Sequence, residues 1–200
     1  MICKGKAVTS IADIQGIKVR GVGVYGKVFK DIGATPVRIS AYKAYSGLDT
    51  GLINCAQVYA YFIPATKMYE VAKEVTVLDW GALMSLGYVM NKDVWESLSP
   101  AHQKVFNELG SEYIDKYAHE IGKGNSKAMK DLAAMSDVTI HEFSDADKAT
   151  LVSSAGTYLA DWTTKMKAAG MDPEAFRGQY LGLLKKYDDE RKAKGYPWTR

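Results

Sequence analysis

The first eighty residues alternate short strand-like runs with helical segments, and this alternation restricts the chain to an α/β fold. The run 17–20 is strand-like and ends at glycines, whereas 24–32 carries apolar residues at helical spacing until Gly33 stops it. The alternation continues with a strand at 35–39, a helix at 41–48, a strand in the first half of 52–59, a helix over 64–72, and strands at 75–80 and 86–90. Successive βαβ units place parallel strands in one sheet, so we expect a mostly parallel sheet flanked by helices.

After Asn91 the pattern changes to long helices. Ser99 and Pro100 form a strong helix start, because a capping hydroxyl precedes a proline at the first helical position. We predict a weak point in that helix at 122–127 and a strand at 138–143. A helix should follow from Ser144 to Ala169, with Asp147 in a capping box. The last helix should start at Asp172-Pro173 and end in a solvated tail.

Composition excludes several classes of protein. With 47% hydrophobic and 24% charged residues, the chain has enough apolar surface to fold, and a net charge of +3 is too weak to argue for a nucleic-acid partner. The longest apolar run is far too short to span a membrane. No apolar segment follows the lysines of residues 1–6, so these residues are not a signal peptide, and the protein is either cytoplasmic or has lost its signal.

The reactive residue types form no recognisable catalytic or metal motif. Cys3 and Cys55 are too few for a disulfide-rich scaffold or a zinc site built from cysteine; one bridge is compatible with the sequence, but we expect buried or free thiols. His102, His119 and His141 are scattered, and no serine or phosphate-loop signature is present. We expect no metal and no cofactor.

The turn Gly21–Gly26 matches the dinucleotide fingerprint G-x-G-x-x-G between a strand and a helix. Arg20 occupies the last strand position, where the fingerprint requires an apolar residue, and no acidic residue ends the second strand. Arg38 there could bind a 2′-phosphate, so an NADP-dependent oxidoreductase is the alternative function. A turn that lets the chain approach a ligand or a neighbouring strand explains the glycines more simply.

Arg20 and a group of aromatic residues are the candidate binding residues. A guanidinium at the end of a strand lies where open α/β sheets bind ligands, and its fork suits a carboxylate; the other interpretation is a surface ion pair. Tyr59, Tyr61 and Trp80 follow strand-like segments and could line a pocket or belong to the core.

Five motifs occur in the order and near the spacing of one known family, over residues 13–100. The run 13–20 (DIQGIKVR) resembles the "D-L-K-G-L-K-I-R" run of TRAP transporter solute-binding proteins, the DctP family. The other four are "G-A-T-P-V" at 33–37, a stretch at 42–54 similar to "E-V-Y-x-A-L-Q-T-G-V-V-D-G", one at 69–76 similar to "Y-E-V-x-K-Y-x-T", and one at 91–100 similar to "N-K-x-x-W-D-S-L-S-P".

The resemblance implies a receptor without catalytic activity that delivers a small organic acid to the membrane permease subunits of a TRAP transporter in the periplasm. The implied fold is a lobe of a type II-like periplasmic binding protein, with long C-terminal helices. Arg20 matches the arginine that typically pairs with the ligand carboxylate. Gly23 and Tyr25 would line the same cleft, and Tyr59, Tyr61 and Trp80 would pack against the body of the ligand.

Two departures from the family pattern carry further expectations. Val58 stands where the family has a ligand-contacting asparagine, so we expect a less polar ligand, such as an aromatic, keto or branched monocarboxylate. The family also carries a further N-terminal segment. We therefore expect 1–83 and 124–200 to form the second lobe and 84–123 to cross to a largely missing first lobe. The apolar stripes of 84–123 would then be exposed and would favour dimerisation.

Overall fold

A six-stranded mixed sheet forms the centre of the fold. The computed structural model of the chain describes residues 1–81 and 87–199. The strands are β1 (Ile2–Cys3), β2 (Lys18–Arg20), β3 (Thr35–Val37), β4 (Cys55–Ala56), β5 (Glu74–Val77) and β6 (Thr139–Glu142). Their order is β3-β2-β4-β1-β5-β6. The pairs β2–β3, β2–β4 and β5–β6 are parallel, which confirms the expectation of a mostly parallel sheet, whereas β1 is antiparallel to both of its neighbours.

The described helices alternate with the strands in the first part of the chain and make up most of the second part. They are α1 (Gly23–Asp31), α2 (Ala44–Asp49), α3 (Phe62–Ala65), α4 (Lys92–Ser97), α5 (Pro100–Ala133), α6 (Asp145–Ser154), α7 (Gly156–Ala168) and α8 (Pro173–Lys194). The predicted helix starts are confirmed. The Ser144 hydroxyl accepts a hydrogen bond from the Asp147 amide, and the Asp172 carboxylate accepts from the first amides of α8.

Four local predictions differ from the structure. The 34-residue helix α5 runs through 122–127 without a break, because its two glycines are helical there. The helix expected from Ser144 to Ala169 is divided near Ala155 into α6 and α7. Residues 64–72 form the end of α3 and a short 3₁₀ turn rather than one helix. Of the strand expected at 86–90, Leu86 lies outside the described residues, and 87–90 form no strand.

The core consists of two apolar clusters, and the strands contribute alternate residues to them. Cys3, Val19 and Cys55 belong to the cluster that includes Phe29 of α1, whereas Ile2 and Ala56 belong to the other cluster, which contains residues of α2, α3 and α5. This alternation follows from the period of two in a strand. Burial of each large side chain contributes about 1.5–3 kcal/mol, so the two clusters together fix the sheet between its helices.

The two cysteines form a disulfide, which corrects the expectation of buried or free thiols. Cys3 and Cys55 lie directly opposite each other in the register of β1 and β4, with their Cα atoms 4.1 Å apart. Both residues are buried. The sequence prediction failed because β1 is only two residues long and showed no periodicity. Without that strand, nothing indicated that the two thiols meet.

The chain divides into two compact units. One contains residues 1–83 and 124–162, and the other contains 84–123 and 163–200. The sequence analysis expected 163–200 in the lobe of 1–83; the assignment of these units to the lobes of a receptor remains a prediction. Within the described ranges, no helix is both long enough and apolar enough to cross a membrane.

Candidate functional site

The carboxyl end of β2 places Arg20 inside the fold. Arg20 is only 8% exposed. The Nη1 group donates a hydrogen bond to the main-chain oxygen of Gln57 at 2.6 Å, and Nε donates to that of Ile39 at 3.3 Å. The parallel pairing of β2 with β4 brings Gln57 beside the end of β2, and the parallel pairing of β2 with β3 brings Ile39 there from the other side. The predicted alternative of a surface ion pair is therefore wrong.

The charge of Arg20 has no anionic partner in the described part of the chain. No described carboxylate lies within ion-pair distance of the guanidinium, and Nη2 donates to no described residue. Burial lowers the pKa of the Arg20 guanidinium, but an arginine side chain stays charged at neutral pH. A buried, unpaired cation is costly, so this position favours an anion brought by a ligand.

A pocket of about 540 Å³ opens beside the carboxyl ends of β4 and β5. Tyr25, Tyr59 and Trp80, which the sequence analysis proposed as ligand contacts, all line it. The ring of Trp80 lies 5.1 Å from that of Tyr25 and 5.2 Å from that of Phe29, and the hydroxyls of Tyr25 and Tyr59 are 3.5 Å apart. Offset or tilted ring contacts at such distances fix an aromatic wall.

The other three proposed residues do not line this pocket. Arg20 lies behind Gln57, which does line it, and the two are joined by the 2.6 Å hydrogen bond. Gly23 is the exposed first residue of α1. Tyr61 stacks on Tyr59 at 6.1 Å, and its main-chain N–H donates to Asn125 at 3.1 Å. Tyr61 therefore supports a pocket residue rather than facing the space itself.

Several polar pocket residues were absent from the sequence prediction. They are Gln57, Thr76, Asp79, Asn125 and Glu142. Gln57 directly follows β4, so the rule that ligands bind at the carboxyl ends of strands could have found it. Asn125 comes from the middle of α5, far away in sequence, and no local pattern marks it.

The remaining charges around the pocket do not compete with Arg20 for a carboxylate. No lysine, arginine or histidine is among the described residues that line the pocket, and the main-chain nitrogen of Met1 donates to the main-chain oxygen of Thr76 at 2.9 Å. The Asp79 carboxylate lies 3.7 Å from the Lys148 ammonium. No group of metal-ligating side chains is found among the described residues.

Two glycines of the turn, Gly21 and Gly26, serve close packing. A Cβ atom on Gly26 would lie 2.7 Å from the main-chain oxygen of Gly21, which is too close for any other residue. The spacing of these glycines therefore brings α1 against the end of β2. Packing explains the match to the dinucleotide fingerprint, and it provides no support for the NADP-dependent alternative.

Solved structures that are similar to this chain include TRAP solute-binding proteins. A marine metagenome TRAP solute-binding protein, specific for aromatic acid ligands and solved with metahydroxyphenylacetate, is similar with a TM-score of 0.73 and 25% identity over 94% of this chain and 60% of its own. A TRAP periplasmic solute-binding protein of Bordetella bronchiseptica, solved with mandelate, has a TM-score of 0.78 and 23% identity over 93% of this chain and 60% of its own.

Curated relatives agree with this similarity. The ectoine-binding periplasmic protein TeaA of Halomonas elongata is 24% identical over 148 residues, which is 72% of this chain and 43% of TeaA. The C4-dicarboxylate-binding periplasmic protein DctP of Rhodobacter capsulatus is 28% identical over 68% of this chain and 41% of its own. The chain thus spans less than half the length of these curated relatives.

The family model of the bacterial extracellular solute-binding proteins matches residues 2–165, which include every described strand of the sheet and all of the described pocket-lining positions except Met1. The members named above bind solutes, as their names state. The chain belongs to the bacterial extracellular solute-binding proteins of family 7, the DctP family.

Proposed function

We propose that this chain is part of a TRAP-type solute receptor that binds a small organic carboxylate without chemical change. The observation that carries this proposal is the buried Arg20 guanidinium, which bonds two main-chain oxygens but no described carboxylate. Those two bonds hold the planar fork in place before a ligand arrives, so little conformational entropy is lost on binding. A ligand carboxylate would bond the Nη2 side of the fork and supply the missing negative charge.

The pocket supports an apolar or aromatic body for that carboxylate. Tyr25, Tyr59 and Trp80 provide ring surfaces, and Val58 lines the same space without a side-chain hydrogen-bond donor or acceptor. The relatives bind chemically varied solutes: ectoine, diketogulonate, galacturonate, mandelate and aromatic acids, as their names state. Within this range, the aromatic lining favours an aromatic, keto or branched monocarboxylate over a sugar acid.

A panel of candidate ligands, measured by thermal shift and calorimetry, tests whether the site prefers aromatic, keto or branched monocarboxylates to sugar acids. We expect phenylacetate, mandelate and 4-methyl-2-oxopentanoate to raise the melting temperature and galacturonate to leave it unchanged, because hydroxyls buried against ring faces lose hydrogen bonds to water. Benzyl alcohol, which has the ring but no carboxylate, is the matched control and should give no shift. A shift with galacturonate alone would contradict the proposed class, and no shift with any acid would contradict the proposed function.

The partners and location follow from the same proposal. The receptor would deliver its ligand to the membrane subunits of a TRAP transporter, and it would act in the periplasm, where the named relatives are found. The Cys3–Cys55 disulfide supports this location, because such bridges persist in oxidising compartments and are rare in the cytosol.

Self-association of this chain also stays a prediction. Exposed apolar residues are concentrated in the unit of 84–123 and 163–200, and they include Tyr88, Val89, Leu109, Ile114, Phe176 and Tyr180. Clustered apolar exposure of this kind favours burial against a second copy. Light scattering after size exclusion should give twice the 22.0 kDa mass of the chain. A monomer at micromolar concentration would contradict the prediction, and Phe176→Glu should shift a dimer towards monomer.

A further inference from the structure

One buried polar side chain in the pocket has no hydrogen-bond partner among the residues that the structure describes. Gln57 is 6% exposed and lines the pocket, and its side-chain amide makes no hydrogen bond to any described residue. Its main-chain groups are both used, since its N–H donates to the Arg20 oxygen and its oxygen accepts from the Arg20 guanidinium. Buried amides in proteins are normally hydrogen-bonded, so this exception requires an explanation.

The amide of Gln57 is not sealed inside the core. Among the described residues, no fully enclosed side-chain nitrogen or oxygen lacks a hydrogen bond, so the polar atoms of Gln57 must still reach accessible space. The space that this residue borders is the pocket. An amide that is nearly buried, unpartnered and in contact with a binding pocket is arranged to bond a molecule that enters it.

The position of Gln57 limits which part of a ligand it can meet. Its peptide group contacts the Arg20 guanidinium at 2.6 Å, so the side chain starts from the residue nearest to the proposed carboxylate anchor. The aromatic wall of Tyr25, Tyr59 and Trp80 would take the body of the ligand. The ligand atom that meets Gln57 is therefore a substituent close to the carboxylate and not one at the far end.

We propose that Gln57 determines specificity by bonding an oxygen on the carbon next to the ligand carboxylate, so that the site prefers 2-hydroxy and 2-oxo acids with an apolar or aromatic body. The inference rests on the proposed function, because it needs a carboxylate on Arg20. An amide suits both ligand types, since its NH₂ donates to a keto oxygen and its oxygen accepts from a hydroxyl. Val58, the next residue, has no such capacity.

The test compares two acids that differ by one hydroxyl, mandelate and phenylacetate, in calorimetric titrations of the full-length receptor. We expect mandelate to bind about fivefold to tenfold more tightly, the equivalent of one net hydrogen bond. In Gln57→Met, which keeps the length of the side chain but not its polarity, the preference should fall to about one while phenylacetate binds as before. Gln57→Asn, with a shorter amide, should give an intermediate ratio.

The outcomes separate this inference from the function on which it rests. A mandelate preference that persists in Gln57→Met, or equal binding of both acids by the unchanged protein, overturns the role of Gln57 and leaves the receptor function intact. If neither acid binds the unchanged protein, the proposed function itself fails. Since each ratio is measured within one protein, a partly unfolded variant alters both affinities together and leaves the ratio interpretable. Gln103→Leu, a change in the other unit, should leave the ratio as it is.

Discussion

Arg20→Lys is expected to weaken the binding of a carboxylate ligand by about 10- to 100-fold, which matches the 1.5–3 kcal/mol typical of a hydrogen-bonded charge. The planar guanidinium bonds the oxygens of Gln57 and Ile39 while it keeps Nη2 for the ligand. An ammonium is a single point of charge on a flexible stem and cannot span both oxygens and the ligand at once. Isothermal titration of the full-length receptor with phenylacetate measures the change.

Arg38→Lys is the matched control for that substitution. Arg38 follows the neighbouring strand β3 and is exposed, so the same exchange of side chains should leave the affinity within about twofold. A second comparison uses phenylacetamide, the neutral analogue of the ligand. The unchanged protein should prefer the acid, and Arg20→Lys should lose most of that preference. Equal affinity of Arg20→Lys and the unchanged protein for the acid would show that Arg20 does not anchor a carboxylate.

The βα unit that carries Arg20 could be predicted from the sequence because its signals are local. The strand-like run before Gly21 and the apolar spacing of Val24, Val28 and Ile32 both correspond to elements in the structure. The family motifs then predicted which arginine pairs with a ligand carboxylate. What they could not supply was the environment of the guanidinium, because its partners Ile39 and Gln57 are distant in sequence and meet it only through strand pairing.

The parts that the sequence did not predict are those that depend on long-range pairing. A two-residue strand such as β1 has no measurable period, so neither its place at the centre of the sheet nor the disulfide could be inferred. Gln57 lies beside Val58 in the sequence, but no sequence pattern could show that its side-chain amide has no hydrogen-bond partner among the described residues. Asn125 reaches the pocket because α5 continues through two glycines, where helix propensity alone predicted a weak point.

Reduction of the Cys3–Cys55 disulfide is expected to lower the free energy of unfolding by about 2–4 kcal/mol and the melting temperature by about 5–15 °C. The bridge joins β1 to β4 across a sequence separation of 52 residues. Closing a loop of that size removes many conformations from the unfolded chain. In the chain-entropy account, this loss raises the free energy of the unfolded state by about 4 kcal/mol. Thermal unfolding with and without a reductant measures the effect in the unchanged protein.

The double variant Cys3→Ala/Cys55→Ala serves as the control for the reductant. It should melt at a temperature close to that of the reduced protein, and the reductant should not change it further. A titration of thiols in denaturant should find none in the oxidised protein and two after reduction, because no described cysteine is free. If the reductant leaves the melting temperature of the unchanged protein as it was, the bridge does not stabilise the fold.

The disulfide is also expected to affect ligand binding, because Cys55 of β4 lies two residues before Gln57, whose main-chain oxygen accepts the Arg20 hydrogen bond just after that strand. Loss of the bridge would loosen β4 against β1 and widen the range of positions of the Gln57 oxygen. We therefore expect reduction to weaken the binding of phenylacetate by about threefold to tenfold below the melting transition, since an anchor that is less fixed loses more entropy on binding. Unchanged affinity in the reduced, folded protein would show that strand pairing alone holds Arg20 in place.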